Sequence, residues 1–279
     1  MVETPTRPTA ARPRSRLAPY RAVISSRMRA QRSYPLSFAT DLFSAFLIGL
    51  VEFAEMYVIF NNVPQLGGLN LTAMLLLFGM SNTCFTIADM LVGHVDTLPT
   101  YIRMGQLDAF YLRPQPLLLQ LAISDIQLRR VARIAVAAVV LGFGVARNDI
   151  DWTPAHLVLF AVTLLSGIAI FAGLFICAAG LQFFLIDGAE LTNAFTYGGS
   201  YASMQPTSVF PTPMKLVFGF LVPVAFTSYL PAIALLGLPG PALLPSWLAW
   251  ASPLAALWVW VAALWLWRAG TRHYQGGGG

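Results

Sequence analysis

The chain has little of what builds a soluble enzyme surface. Only 10% of its 279 residues are charged, against roughly 25% in an ordinary soluble domain. Its two cysteines, Cys84 and Cys177, each fall inside an apolar run. That gives no support to a disulfide framework and predicts two small buried residues. The three histidines, His94, His156 and His273, are scattered, so no metal site is expected. No GxxxxGK[ST] segment occurs, so the chain does not bind ATP through a P-loop of its own. Neither a G-x-S-x-G nucleophile motif nor an H-E-x-x-H zinc motif is present. No catalytic residue and no cofactor bound by this chain are therefore expected. Lysine is almost absent: Lys215 stands against sixteen arginines, a bias that says little about mechanism. No internal repeat is visible, which weakens an inverted-repeat transporter reading.

What is present is mostly apolar. The chain is 57% hydrophobic with a mean hydropathy of +0.67, and it stays apolar from Leu36 to Trp267. A spanning helix needs about 20 apolar residues. Six segments qualify: 36–60, 71–92, 128–146, 155–186, 214–236 and 247–267. The fourth exceeds a perpendicular span and should tilt. The fold class is all-α, a polytopic membrane protein of six transmembrane helices. The first apolar run is too late and too long for a cleavable signal peptide.

The arginines orient these spans. Eight of them lie in the first 35 residues against one acid, Glu3. With that end inside, segments 1–35, 93–127, 187–213 and 268–279 hold or adjoin all cationic residues but Arg147. The asymmetry predicts that both termini are cytoplasmic. The net charge of +5 reads as topology signals and contacts to anionic membrane lipids. It does not read as nucleic-acid binding, since no recognition motif accompanies it. Residues 1–35 form a basic cytoplasmic arm, and 36–279 form the six-helix domain. Within the arm, Leu17, Tyr20, Ile24, Met28 and Gln31 share one helical stripe. Arginines flank that stripe, as in a helix lying on the membrane surface.

Ionisable residues inside spans are the best candidates for function. Asp41, Glu52 and Glu55 fall on one face of the first span, because eleven and three residues both return to the same side of a helix. The acidic stripe either lines a polar pathway or pairs and hydrates near the two surfaces. Asp89, near the inner end of the second span, predicts anchoring by an interfacial arginine. Ala169, Gly173 and Cys177 predict a helix-packing face. The tryptophans from Trp247 to Trp267 predict mostly belt or lipid-facing positions. Pro223 and Pro231 predict a bent fifth span, and 232–251 reads as a segment dipping back into the membrane.

Three stretches resemble a known family. The first is Gly105-x-Leu107-Asp108-x-x-x-Leu112-Arg113-Pro114, in the loop after the second span. The second runs from Phe220 through Pro223 to Phe226, with Tyr229-Leu230-Pro231-Ala232 after it. The third is the tail Trp267-Arg268-x-Gly270-x-Arg272-x-Tyr274. Together they resemble the permeases of bacterial ABC exporters of the ABC-2 type, a six-span, type V exporter-like subfamily. Tyr111 stands where that family usually has another leucine.

The resemblance implies a permease that dimerises with an identical or paralogous partner in the bacterial cytoplasmic (inner) membrane. Two separately encoded P-loop ATPase subunits would bind the ATP and Mg. It also implies that the interfacial helix and a helix over roughly 96–112 couple ATPase closure to the spans. Gly105, Leu107, Asp108, Leu112, Arg113 and Pro114 are then the coupling residues, and Glu52, Glu55 and Asp41 the candidate pathway residues. The alternatives are an ion-coupled secondary transporter using the acidic stripe, or a membrane-embedded lipid-modifying enzyme.

Overall fold

The computed structural model describes residues 35–124, 128–185 and 189–275. The basic arm, with the surface helix expected over 17–32, lies outside the described residues. Apart from an isolated bridge between Leu66 and Leu69, regular structure among the described residues is helical. The long helices are α1 (Pro35–Asn62), α2 (Leu71–Val92), α6 (Leu128–Arg147), α7 (Pro154–Gln182), α8 (Ala189–Ser203) and α11 (Ser252–His273). Between α2 and α6 lie α3 (Leu98–Arg103), α4 (Leu107–Tyr111) and α5 (Leu117–Ile123); α9 (Thr212–Leu216) and α10 (Tyr229–Leu235) precede α11.

Local chemistry sets several starts. Asn70 accepts a hydrogen bond from the Ala73 amide at 2.9 Å and so caps α2. Thr153 does the same for His156 at 3.2 Å, and Pro154 occupies the first turn of α7, where no amide donor is needed.

Three helices, 71–103, 154–182 and 246–273, are long and apolar enough to cross a membrane, and a bent pair makes a fourth candidate. Helices α1 and α6 also have spanning length, 28 and 20 residues, with charged residues along them.

The helices approach closely where glycine removes the side chain. A Cβ on Gly79 would come within 2.5 Å of Leu141 Cα, and one on Gly144 within 2.6 Å of Leu76 Cα, so α2 and α6 meet backbone to backbone. The small-residue face of α7 packs against α11, as expected. Gly173 faces Val259, Trp260 Nε1 donates to Ala169 O at 2.9 Å, and Gly180 abuts Leu266 and Trp267. Cys177 stays half-buried on that face and Cys84 is buried. Small residues favour such contacts because lipid supplies no hydrophobic drive between helices. Trp247, Trp250, Trp258 and Trp265 are exposed, whereas Trp260 and Trp267 turn inward.

The bundle has two faces. Asn148 Nδ2 donates to Thr72 O at 2.7 Å, which puts loops 63–70 and 148–153 on one of them. Phe183 packs on Tyr274, and Tyr274 on the 105–114 loop, which puts those segments on the other.

One expectation needs correction. The stretch 187–213 reads as an inside loop, but from Ala189 it is helical to Ser203 and runs through the bundle. Tyr197 lies edge-on to Phe85, Ser203 hydrogen-bonds Ser81, and Ser208 Oγ donates to Gly67 O at 2.8 Å. Those partners step along α2 from its loop-motif end to the opposite face, so α8 lies antiparallel to α2. Short apolar content hid this helix: Thr192, Asn193, Thr196, Ser200 and Ser203 dilute its hydropathy.

The fifth apolar segment is bent, as expected: its two arms, Thr212–Leu221 and Val224–Leu235, meet at 71°. Pro223 sits in the break, where it offers no amide and restricts Val222. Pro231 does not bend its helix, because it lies in the first turn of α10. The second arm turns back: Gly240 touches Ile233 and Leu244, and Leu244 packs on Gly219 of the first arm. Of the stretch 232–251, residues 232–235 end α10, 236–245 form a loop with Gly237 at φ +64, and 246–251 is a 3-10 helix leading into α11.

Candidate functional site

The loop motif folds as a compact unit. Gly105, at φ +64, reverses the chain; its amide donates to Ile102 O at 3.1 Å and that of Gln106 to Tyr101 O at 3.0 Å. This positive φ favours glycine, and it splits the single helix expected over 96–112 into α3 and α4. Leu107 is fully buried and anchors α4, while Asp108 and Arg113 are exposed and Leu112 is 87% exposed. The Arg113 guanidinium lies 5.4 Å from the Phe110 ring centroid. Phe110 is held edge-on by Tyr101, and Gln120 Nε2 donates to Phe110 O at 3.2 Å and Gln115 O at 2.7 Å. Pro114 and Pro116 separate α4 from α5.

The tail completes this unit. Tyr274 OH donates to Asp108 Oδ1 at 2.9 Å, and its ring stacks on Tyr111 at 5.8 Å and 7°. Burial, then the hydrogen bond and charge of Asp108, push the Tyr274 phenol up to about 12. The phenol therefore remains a donor at any physiological pH. The motif and the tail were each identified in the sequence, but their contact was not. Tyr111, the departure from the family's leucine, supplies the flat ring on which Tyr274 stacks.

The acidic stripe leads elsewhere. A cavity of about 340 Å3 opens between α1, α2, α6 and α8, lined by Glu52, Asn82, Thr86, Arg133, Tyr197, Ser200 and Tyr201 among others. Glu52 and Glu55 also border an adjoining cleft beside Met56, Leu66 and Gln205. Asp41 lies on the same helix, but its side chain is outside the described residues. Arg133 was not singled out in the sequence, where it reads as part of the basic loop flank. The helix carries it inward, where it and Glu52 attract each other across the cavity. Asp89 has the expected arginine anchor: Arg130 Nε lies 3.4 Å from its carboxylate, and Arg130 Nη1 also donates to the Asp89 carbonyl. A Cβ at Gly93 would collide with that carboxylate, so glycine makes room for the pair.

Long apolar helices and glycine-mediated packing define a multi-pass membrane protein. Residues 46–278 match the family model of the ABC-2 family transporter proteins, and the chain belongs to that family. It is the membrane component of an ABC transporter, a permease. No curated protein and no solved structure matches the chain closely enough to add to this assignment.

Proposed function

We propose that the chain is the permease half of an ATP-driven exporter in the bacterial inner membrane. It forms part of the translocation pathway and relies on two separate P-loop ATPase subunits, which bind ATP and Mg. A second permease, identical or paralogous, completes the pathway. Six crossings are α1, α2, α6, α7, α8 and α11, with 212–235 entering from the outer face and returning to it. The termini and the 105–114 loop lie in the cytoplasm. The 1–35 arm contributes its surface helix to the coupling apparatus.

The observation that carries this reading is the Asp108–Tyr274–Tyr111 unit on the arginine-rich face. It presents Leu112 and Arg113 outward, an apolar and a cationic contact on a braced loop. A rigid, exposed platform of this kind suits transmission of force from a docked subunit. An ion-coupled transporter remains the alternative, favoured by Glu52 facing a cavity. Purification from native membranes tests both readings: a P-loop subunit that stimulates with substrate supports the exporter, and gradient-driven transport without one supports the alternative.

A further inference from the structure

We propose that the cavity between α1, α2, α6 and α8 binds a zwitterionic headgroup, its cation towards Glu52 and its anion towards Arg133. The inference deepens the permease reading by naming a substrate class, and it rests on that reading for the site's purpose.

The two charges lie on different helices, α1 and α6, and both side chains are half-buried. They attract each other but make no ion pair with one another within 4.0 Å. A membrane helix carrying a charge normally neutralises it by direct pairing, as Asp89 does with Arg130, one turn from Arg133 on α6. Here the carboxylate and guanidinium are held apart, with space between them. The volume, about 340 Å3, falls in the range of small-molecule sites.

The remaining wall suits a headgroup. Asn82, Ser200 and Tyr201 supply neutral donors and acceptors without adding net charge, while Tyr197, whose hydroxyl donates to Asp96 Oδ2 at 3.1 Å, adds a ring wall. A purely cationic ligand would meet Arg133, and a purely anionic one would meet Glu52. Each would desolvate one like charge, a cost that a zwitterion avoids. Ile48 links the cavity to the exposed apolar side of α1, where Leu47 and Val51 are uncovered. A headgroup bearing an apolar chain could lay that chain there, whereas a free zwitterion would fill the polar part alone.

The test uses the full-length chain with whatever subunits copurify, in nanodiscs of an uncharged glycolipid. Radiolabelled dodecylphosphocholine and glycerophosphocholine serve as tailed and free zwitterions. Dodecyltrimethylammonium and dodecyl phosphate serve as single-charge probes. The expected result is saturable binding of a zwitterion. Glu52→Gln and Arg133→Gln should each weaken it by about tenfold or more, equivalent to about 1.4 kcal/mol. Glu52→Gln should improve dodecyl phosphate binding, and Arg133→Gln should improve that of the cation. Melting temperature and gel filtration verify that each variant is folded; if either is not, the charge-swapped pair Glu52→Arg with Arg133→Glu takes its place and should bind the zwitterion.

Saturation by the tailed probe alone identifies a lipid-like ligand, and saturation by both a free headgroup. Non-saturable binding of both zwitterions, or unchanged affinity in folded variants, overturns the proposal. Binding is read without ATP, so an absent ATPase subunit would defeat the exporter reading and leave this result intact.

Discussion

The Tyr274 hydroxyl donates to the Asp108 carboxylate at 2.9 Å, joining residues 166 positions apart. The contact ties the end of the last helix to the loop after the second. Movement of that loop is therefore felt by α11, and through Gly173 and Gly180 by α7. If the loop receives the ATPase, the tail is the second strut of the coupling device.

Tyr274→Phe keeps the stack on Tyr111 and removes the hydrogen bond. Its stability loss should be about 0.5–1.5 kcal/mol. Tyr274→Ala removes both contacts and should lower substrate-stimulated ATPase activity of the complex more than Tyr274→Phe does. Stimulation measured on both assembled variants checks this; equal, undiminished stimulation would reduce the tail to a bystander.

Asp108→Ala and Arg113→Ala test the loop itself. Both residues are exposed, so the fold should survive; Arg113→Ala should change the melting temperature little, while Asp108→Ala should lose the Tyr274 hydrogen bond and about as much stability as Tyr274→Phe. Transport and ATPase stimulation should fall in each. Normal values in both would mean that the motif only folds the loop against the membrane surface.

Asp89→Asn leaves Arg130 without its ion pair near the inner end of α2. The side chains are only 5% and 12% exposed, and breaking a buried pair from one side costs about 3–5 kcal/mol. A lower melting temperature in detergent should follow, together with reduced yield of assembled protein.

Gly180→Ala should destabilise the α7–α11 contact by about 1–3 kcal/mol through overpacking, because its Cβ would lie 2.8 Å from the Leu266 carbonyl carbon. Gly142→Ala is the control: a Cβ there meets nothing within 4 Å. Thermal unfolding of the two variants should separate them clearly.

Much of this was legible because hydropathy reports helices directly. The segments 71–92 and 128–146 match α2 and α6 to within a residue or so, and the Asp89 anchor and the α7 packing face followed from spacing. Helix α8 was not legible. Ser200 lines the cavity and Ser203 meets Ser81, and with the helix's other polar residues they make a composition rule take it for a loop. The bend of 214–236 was legible from Pro223, but composition carries no angle, so the course of the two arms was not. At the sites, motif residues could be found but long-range partners could not. Nothing in the local sequence connects Asp108 with Tyr274, or Glu52 with Arg133.

The course of α8 gives a direct topology prediction. Single cysteines at Gln65, Asp149 and Val209, in a chain lacking Cys84 and Cys177, should react with a membrane-impermeant maleimide from outside. A cysteine at Gly105 should not. Protection of Val209 with labelling of the other two would restore the inside loop over 187–213.

The central claim is that this chain is a permease driven by a separate ATPase. Purification of the tagged full-length chain from its native membranes, with subunit identification and ATP hydrolysis measured before and after stripping the partners, tests it most directly. The account predicts a copurifying P-loop subunit, hydrolysis by the complex, and none by the stripped chain. Hydrolysis by the stripped chain, or active transport by a preparation containing no P-loop protein, would contradict it.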